Sequence, residues 1–178
     1  MLVVISGLPG VGKTTVADLV AAALHAVRLS IDPVEEALIA AGFPAGWETG
    51  VAAFEVVGAM AELNLRAERT VVIDAVNDSD DARATWRRAA ASSGVRLCWV
   101  VLVMSDTAGH AARLRGRDRG YSHIPEPTWT EVSERTMEPW GDFHRLIDVS
   151  ASSAEQVAEE VERHVVEFRI GNTSGGFQ

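Results

Sequence analysis

One stretch close to the N-terminus decides the fold, and it reads Gly7-Leu8-Pro9-Gly10-Val11-Gly12-Lys13-Thr14. It has the form G-x-x-x-x-G-K-[ST], in which the glycines let successive backbone N–H groups point inward at an anion. The pattern predicts that the loop, as far as Thr15, cradles phosphate groups at the positive end of the following helix. In such a loop the Lys13 ammonium reaches the outer phosphates, and the Thr14 hydroxyl binds Mg²⁺.

The composition of the whole chain makes this lysine stand out. The chain has 16 basic residues, of which Lys13 is the only lysine and all the others are arginines. The formal net charge is −9. Because a chain that coats nucleic acid normally carries the opposite sign, nucleic acid is not expected as a partner.

Length and hydropathy limit the classes of protein to which the chain can belong. With 178 residues the chain has the size of one domain, expected over 1–170, and the Gly- and Ser-rich tail 171–178 is expected to be disordered. No apolar run approaches the roughly 20 residues that cross a bilayer. A single cysteine, Cys98, excludes an internal disulfide. We therefore expect a cytoplasmic protein that does not bind a membrane.

Five short apolar runs predict strands. The runs are Leu2–Ser6, Val27–Ile31, Thr70–Asp74, Leu97–Met104 and Leu146–Val149. The first of them directly precedes the glycine-rich stretch. Runs of Val, Ile and Leu without polar alternation are typical of parallel strands covered on both faces. Because helical patterns separate the runs, the chain is expected to be an α/β protein built from βαβ units.

Helix signals fill the intervals between these runs. Helices are predicted over residues 14–24, 47–69, 78 or 79 to about 94, and 106 to about 117. Asp32 is expected to cap a further helix, with Pro33 at its first position. Ser152 and Glu155 form a capping-box pattern that opens the last helix.

Two carboxylates follow predicted strands, at the edge of a parallel sheet where ligands bind. Asp74 ends the run T-V-V-I-D and is the candidate second Mg²⁺ anchor, acting through water. Asp32 follows the second run, in L-S-I-D, where it is placed to take a proton from an acceptor hydroxyl, to hold Mg²⁺, or both. The simpler alternatives are a strand-end acid for Asp74 and a helix cap for Asp32.

Four arginines alternate with other residues in the segment R-L-R-G-R-D-R, residues 113–119. On a helix Arg113 and Arg117 would share one face, and the other two arginines another. Nearby glycines predict that the helix ends in a mobile lid over about 115–128. Arginines on a lid neutralise a transferred phosphoryl group and exclude water, and we assign Arg117 to this role, with Arg113 one turn behind it. A solvated helix face and a nucleic-acid patch are the alternatives.

The stretch between the two carboxylates is the candidate acceptor side. Its aromatic residues Phe43, Trp47 and Phe54 either line an acceptor pocket or belong to the core. Glu55 is the acid that projects from this stretch in a useful region. A lone histidine in the lid, His123, is more often solvated or structural than catalytic.

The motifs GLPGVGKTT, LSIDPVEEAL, VVIDAV and RLRGRDRG together resemble the small P-loop kinases that act on metabolites and antibiotics. Gluconate kinase, the chloramphenicol phosphotransferase and the zeta toxins belong to this group. The segment GYSHIPEPTWTEVSERTMEP is similar to the post-lid segment of gluconate-kinase-like members, with a His, a Pro and then a helix that ends in Glu-Pro. The resemblance extends to about Glu167, but Asn77-Asp78 after VVIDAV matches no acceptor signature of the group.

The resemblance implies a three-layer α/β/α fold with a five-stranded parallel sheet in the order 2-3-1-4-5 and a lid after strand four. It also implies that adenine lies near residues 150–153 and that Asp32 is the acceptor's base. The expected activity is transfer of the γ-phosphate of ATP, with Mg²⁺, to a hydroxyl of a small molecule such as a sugar acid, a nucleoside or an antibiotic. Two alternatives stay open: a kinase of nucleotides or nucleic-acid ends, and a nucleotide-dependent switch that acts through a protein partner.

Overall fold

The centre of the fold is a parallel sheet. In the part of the chain that the structure, a computed structural model, describes (residues 1–171), its five strands are β1 (Leu2–Ser6), β2 (Val27–Ser30), β3 (Val71–Asp74), β4 (Leu97–Val103) and β5 (His144–Asp148). Their order is β2-β3-β1-β4-β5, which confirms the expected topology. Except for Gly171, the tail for which disorder is predicted lies outside the described residues.

Seven helices accompany the sheet in the described residues. They are α1 (Lys13–Ala23), α2 (Ile31–Ala40), α3 (Trp47–Arg66), α4 (Asp80–Ser92), α5 (Thr107–Arg115), α6 (Trp129–Ser133) and α7 (Ala154–Ile170). None of these seven combines the length and the apolarity that a bilayer span requires.

The sheet is covered on both faces, as the unbroken apolar runs predict. All five residues of β1 are completely buried, and their side chains alternate between two cores. Val3 and Ile5 pack in one core with residues of α1 and α7, whereas Leu2 and Val4 pack in the other with residues of α3 and α4. The fold therefore has three layers, α/β/α, with β1 at its centre.

Register brings the functional ends of the strands together. Asp74, the last residue of β3, pairs with Ile5 of β1 on one side and with Ser30 of β2 on the other. Because all strands are parallel, the loop after β1, the start of α2 and the end of β3 meet at one edge of the sheet.

Two predicted helix caps are wrong by one or two residues. α2 begins at Ile31 with Ser30 as its N-cap, so Asp32 lies in the first turn and does not cap the helix. The reason is that β2 runs directly into α2 without a connecting loop. In α7 the capping box consists of Ser153 and Gln156, one position after the predicted pair.

The predicted post-lid helix is also shorter than the resemblance implied. α6 ends at Ser133, and Glu138 lies in the following coil rather than at the end of a helix. There its backbone carbonyl accepts a hydrogen bond from Nη1 of the fully buried Arg83 (3.1 Å), and that of Pro139 accepts one from Nη2 (3.0 Å). Arg87, one turn later on α4, binds Asp142. The coil after α6 is thus held on α4 by two arginines.

Candidate nucleotide and phosphoryl-transfer site

The glycine-rich loop connects β1 to α1, as the pattern requires. Its conformation depends on glycine at Gly7, where φ is +143° and an added Cβ would overlap the carbonyl oxygen of Leu102 in β4. Gly10, with φ of +90°, lies against α5, because an added Cβ would be 3.2 Å from the ring of His110. The loop is therefore closely packed against its neighbours on two sides.

Lys13 is placed at the start of α1 with its side chain folded over the loop. The residue is buried, and its Nζ donates a hydrogen bond to the carbonyl oxygen of Leu8 (3.1 Å). Burial lowers the pKa of Lys13, while the nearby carboxylates of Asp74 and Asp32 act to raise it. A positive charge at this position is stabilised by anions, and the phosphates of a nucleotide would add to that stabilisation.

Thr14 and Asp74, two of the three predicted Mg²⁺ ligands, are brought together, whereas the third, Asp32, is paired with arginines of the lid. The Thr14 hydroxyl donates to Oδ2 of Asp74 (2.7 Å), although 60 residues separate them in sequence. Ser30 donates to the same oxygen from 3.4 Å, and the guanidinium of Arg28 lies 3.7 Å from it. Hydroxyl and carboxylate oxygens beside a phosphate loop are the donors that Mg²⁺ prefers, so these residues fit the ion.

Asn77, three residues after Asp74, joins two elements of the fold next to the site. Asn77 is fully buried in a left-handed conformation (φ +57°). Its Nδ2 donates to the Ser6 hydroxyl (2.7 Å), and its Oδ1 accepts from Nε1 of Trp86 (2.6 Å). Asn77 therefore links the end of β1 to α4. In the sequence this residue stands out only as a departure from the related kinases.

His110, which belongs to none of the motifs in the sequence, supports the phosphate loop from α5. The residue is 4% exposed, and its Nε2 lies 2.7 Å from the carbonyl oxygen of Pro9, to which it donates in the Nε2–H tautomer. Trp129 of α6 packs edge-on against the same ring, with centroids 5.1 Å apart. A buried ring that joins the loop to α5 and α6 limits the movement of the loop.

A cavity of about 310 Å³ opens on the other side of the loop, between α1 and the start of α7. Its walls include Gly12, Thr15, Arg113, Val149 and Ser152. The cavity adjoins the phosphate loop and includes Ser152 and Ser153, in the region where the resemblance implied the adenine. Arg113 thus lines this cavity.

The lid arginines do not share helix faces, contrary to the helical expectation. α5 ends at Arg115 and α6 begins at Trp129. Residues 116–128, called the lid segment below, are therefore not helical. In the lid segment Arg117 and Arg119 both turn toward Asp32, with nitrogens 3.8 and 2.6 Å from Oδ2. Because α5 ends before either residue, the helical spacing of four does not apply to Arg117 and Arg119.

A second contact holds the lid segment on α2. Both carboxylate oxygens of Glu36 accept hydrogen bonds from backbone N–H groups of the lid segment, at 2.8–3.1 Å. The donors are Ser122, His123 and Ile124, and Nδ1 of His123 lies 2.9 Å from Glu36. Glu36 follows Asp32 by four residues and so faces the same way on the helix. That spacing was the signal from which Glu36 might have been found.

The aromatic residues predicted for the acceptor side are dispersed. Trp47 and Phe43 are largely exposed, and Phe54 packs against Trp86 with centroids 5.8 Å apart, in the core cluster beneath α3. Glu55 pairs with Arg88 at the surface, away from Asp32. Of the predicted acceptor-side residues, the structure therefore places only Asp32 against the lid arginines.

Glu35 adds a second carboxyl group beside Asp32. Partial burial and then the charge of Asp32 raise its pKa, against a smaller opposing effect of Arg119. An added Cβ at Gly50 of α3 would lie 3.8 Å from its Oε1, so this group faces α3. Hydrogen-bond acceptors thus predominate on the α2 side of the site.

The chain can be compared with known proteins on this basis. A family model described as AAA domain (AAA_33) matches residues 2–139. No curated protein sequence matches the chain. Among solved structures it is similar to a gluconokinase from Sinorhizobium meliloti 1021, at 18% identity and a TM-score of 0.72, covering 98% of this chain and 97% of that one.

Two further solved structures show the same likeness. One is the Mycobacterium tuberculosis APS kinase in complex with AMPPNP and APS, with 21% identity, a TM-score of 0.68, and coverage of 93% of this chain and 96% of that one. The other is Chaetomium thermophilum Kti12 in complex with ADP-AlF3, with 18% identity, a TM-score of 0.68, and coverage of 94% and 98%. At these identities the likeness establishes the fold alone. The chain therefore belongs to the AAA-domain family AAA_33, and its fold is that of the P-loop kinases.

Proposed function

We propose that the protein is an ATP-dependent kinase that phosphorylates a hydroxyl of a small molecule. One observation carries the proposal: the carboxylate of Asp32 meets the lid arginines Arg117 and Arg119 at the sheet edge that also carries the phosphate loop. A loop that only binds nucleotide needs no carboxylate opposite the phosphates, whereas a kinase needs a group that receives the acceptor's proton.

The residues divide the work of transfer between them. Lys13 and the backbone of the loop would hold the phosphates, and Arg113 would line the nucleoside cavity. Thr14 and Asp74 would hold Mg²⁺, which would supply positive charge against the phosphate oxygens. In the reaction the acceptor oxygen forms a bond to the γ-phosphorus, the bond from that phosphorus to ADP breaks, and the hydroxyl proton passes to Asp32.

The acceptor class follows from the groups on the α2 side. Asp32 and Glu35 offer acceptors for the hydrogen bonds of hydroxyl groups, which supports a polyhydroxylated or hydroxyl-bearing substrate such as a sugar acid, nucleoside or antibiotic. The acceptor is taken to be a small molecule because the lid segment lies on α2 and closes this side.

The test is release of ADP from Mg·ATP with a panel of sugar acids, nucleosides, nucleotides and antibiotics. Wild type is compared with Asp32→Asn and with Glu55→Gln, an acid of α3 whose surface pair with Arg88 is remote from the site. We expect one acceptor class to stimulate the wild type and Glu55→Gln, and Asp32→Asn to lose about 100-fold or more of that stimulated rate.

Other outcomes would contradict the proposal. A slow rate that no acceptor changes, equal in wild type and in Asp32→Asn, would favour a nucleotide-dependent switch that acts through a protein partner. If only nucleotides or oligonucleotide ends stimulated the rate, the protein would still be a phosphotransferase, but its acceptor would be a nucleotide or a nucleic-acid end.

A further inference from the structure

The two arginines that meet at Asp32 differ in how they are held. We propose that Arg119 is a positioning residue that fixes Asp32 and the lid segment to each other, and that Arg117 is the lid arginine that binds the transferred phosphate. The inference rests on the proposed function and assigns separate roles to two neighbours in the same lid.

Every nitrogen of the Arg119 guanidinium is engaged within the protein. Nη1 donates to Oδ2 of Asp32 (2.6 Å), Nε to Oε1 of Glu126 (2.7 Å) and Nη2 to the carbonyl oxygen of Pro125 (3.1 Å). The guanidinium also lies over the ring of Tyr121, 5.0 Å from its centroid. An arginine with these contacts, and a side chain only 13% exposed, would have to give up several of them to bind a phosphate.

Arg117 is held much more loosely. Its guanidinium approaches Asp32 and Glu126 only to 3.8 Å, which is too far for hydrogen bonds. Within residues 1–171 no group accepts a hydrogen bond from this guanidinium, although its side chain is only 21% exposed. It lies close enough to Lys13 to lower the pKa of that residue. A partly buried cation with free donors beside the phosphate loop is suited to bind an anion.

The Asp32–Arg119 pair is a short contact between α2 and the lid segment. One turn further along the helix, Glu36 receives the N–H groups of residues 122–124. Since Oδ2 of Asp32 is occupied by Arg119, Oδ1 is the oxygen left for an acceptor proton, and no group among residues 1–171 donates to it. Placement of the lid segment and orientation of Asp32 are therefore linked through one guanidinium.

The experiment separates the two arginines with readouts that need no acceptor. Hydrogen exchange at the amides of residues 122–124 measures attachment of the lid segment, and calorimetric titration with Mg·ATP measures phosphate binding. The variants are Arg119→Ala, Arg119→Lys and Arg117→Ala. Arg115→Ala is the control, because Arg115 is an exposed arginine of α5. Circular dichroism melting verifies that each variant is folded.

We expect Arg119→Ala to speed exchange at residues 122–124 about tenfold, and to change ATP affinity by less than about threefold. Arg117→Ala should leave exchange within about twofold and weaken ATP binding about tenfold. Once an acceptor is known, Arg119→Ala should lower kcat with the KM for ATP nearly unchanged. Arg119→Lys, which keeps a charge next to Asp32, should recover part of kcat.

The inference and the proposed function fail in different ways. If exchange at residues 122–124 were equal in Arg119→Ala and Arg117→Ala, or if Arg119→Ala lost ATP binding as strongly as Arg117→Ala, the separate roles would be wrong. If instead no acceptor stimulated the wild type while the two variants still differed in exchange and ATP binding, the proposed function alone would be wrong.

Discussion

The phosphate loop and the α2–lid contact lie at the same edge of the sheet but are built in opposite ways. The loop is one continuous run, residues 7–14, whose backbone forms the site. The α2–lid contact joins side chains that are 87 residues apart, such as Asp32 and Arg119. The difference teaches that the phosphate side depends on local backbone geometry, whereas the acceptor side depends on tertiary contacts that can be changed one at a time.

The largest effect is expected in the phosphate loop, from loss of the charge of Lys13. Lys13→Met keeps the length of the buried side chain and removes its charge, so it should lower the rate of ATP turnover by about 1,000-fold, as for loss of a preorganised group that faces developing charge. ADP release under saturating Mg·ATP measures this rate. The Arg69→Met variant, which changes a surface arginine at the end of the turn after α3, should behave like wild type.

A result in which Lys13→Met retained a tenth or more of the turnover would break the comparison, because the phosphate side would not then depend on its one lysine.

The difference between a contiguous loop and a tertiary contact also determines which parts of the site the sequence predicts. The motif and the pairing of Thr14 with Asp74 follow from contiguous patterns and from the rule that parallel strands end at one edge, whereas the strand order was implied by the resemblance to the P-loop kinases. His110 lies 101 residues from Pro9, and nothing local to either residue indicates their contact. Arg119 belongs to the arginine cluster that the sequence shows, but its pairing with Asp32 depends on a non-helical segment, whose path a helical spacing does not predict.

The second prediction concerns the glycine that packs against β4. In Gly7→Ala the new methyl group would overlap the carbonyl of Leu102, and the residue would hold φ near +143°. We expect a loss of about 2–4 kcal/mol in the free energy of unfolding, from strain and overlap together. Urea denaturation followed by circular dichroism measures it.

Gly42→Ala is the matched control, because Gly42 has φ of +100° but an added Cβ would meet no atom within 4 Å. The loss in the free energy of unfolding of Gly42→Ala therefore measures the conformational strain alone, about 1 kcal/mol. Equal losses in the two variants would show that contact with β4 contributes nothing, so the loop would be more independent of the sheet than its packing indicates.

The third prediction tests whether the phosphate loop keeps its conformation without support from α5. His110→Phe keeps a ring against Trp129 and Gly10 but removes the donor that faces the carbonyl oxygen of Pro9. We expect ATP to bind about three- to tenfold more weakly, the equivalent of one hydrogen bond. Calorimetric titration with Mg·ATP measures the affinity, and His164→Phe, a ring of α7 beside Phe168, is the control.

Unchanged affinity in His110→Phe would mean that the loop holds its conformation without support from α5, and it would make the contrast between the two regions stronger than the structure indicates.

The smallest effect is expected from pH acting on the α2–lid contact. Partial burial acts to raise the pKa of Glu36, but hydrogen bonds from the His123 side chain and from three backbone N–H groups outweigh it and hold the pKa at about 2, below the ordinary 4.5. Because the pKa is lower in the folded protein than in the unfolded chain, the contribution of this contact is complete above pH 4.5 and is lost as pH falls toward 2.

Protection of the amides of residues 122–124 against hydrogen exchange, relative to their intrinsic rates, should therefore be equal at pH 7 and pH 5 to within about a factor of two and should fall by pH 3. In Glu36→Gln it should be lower at pH 7 and change less with pH, since an amide oxygen accepts more weakly than a carboxylate. Glu62→Gln, in a surface pair with Arg66 on α3, should follow the wild type. Loss of protection already at pH 5 would show that another titrating group governs the lid segment, because the carboxylate of Glu36 keeps its charge at that pH.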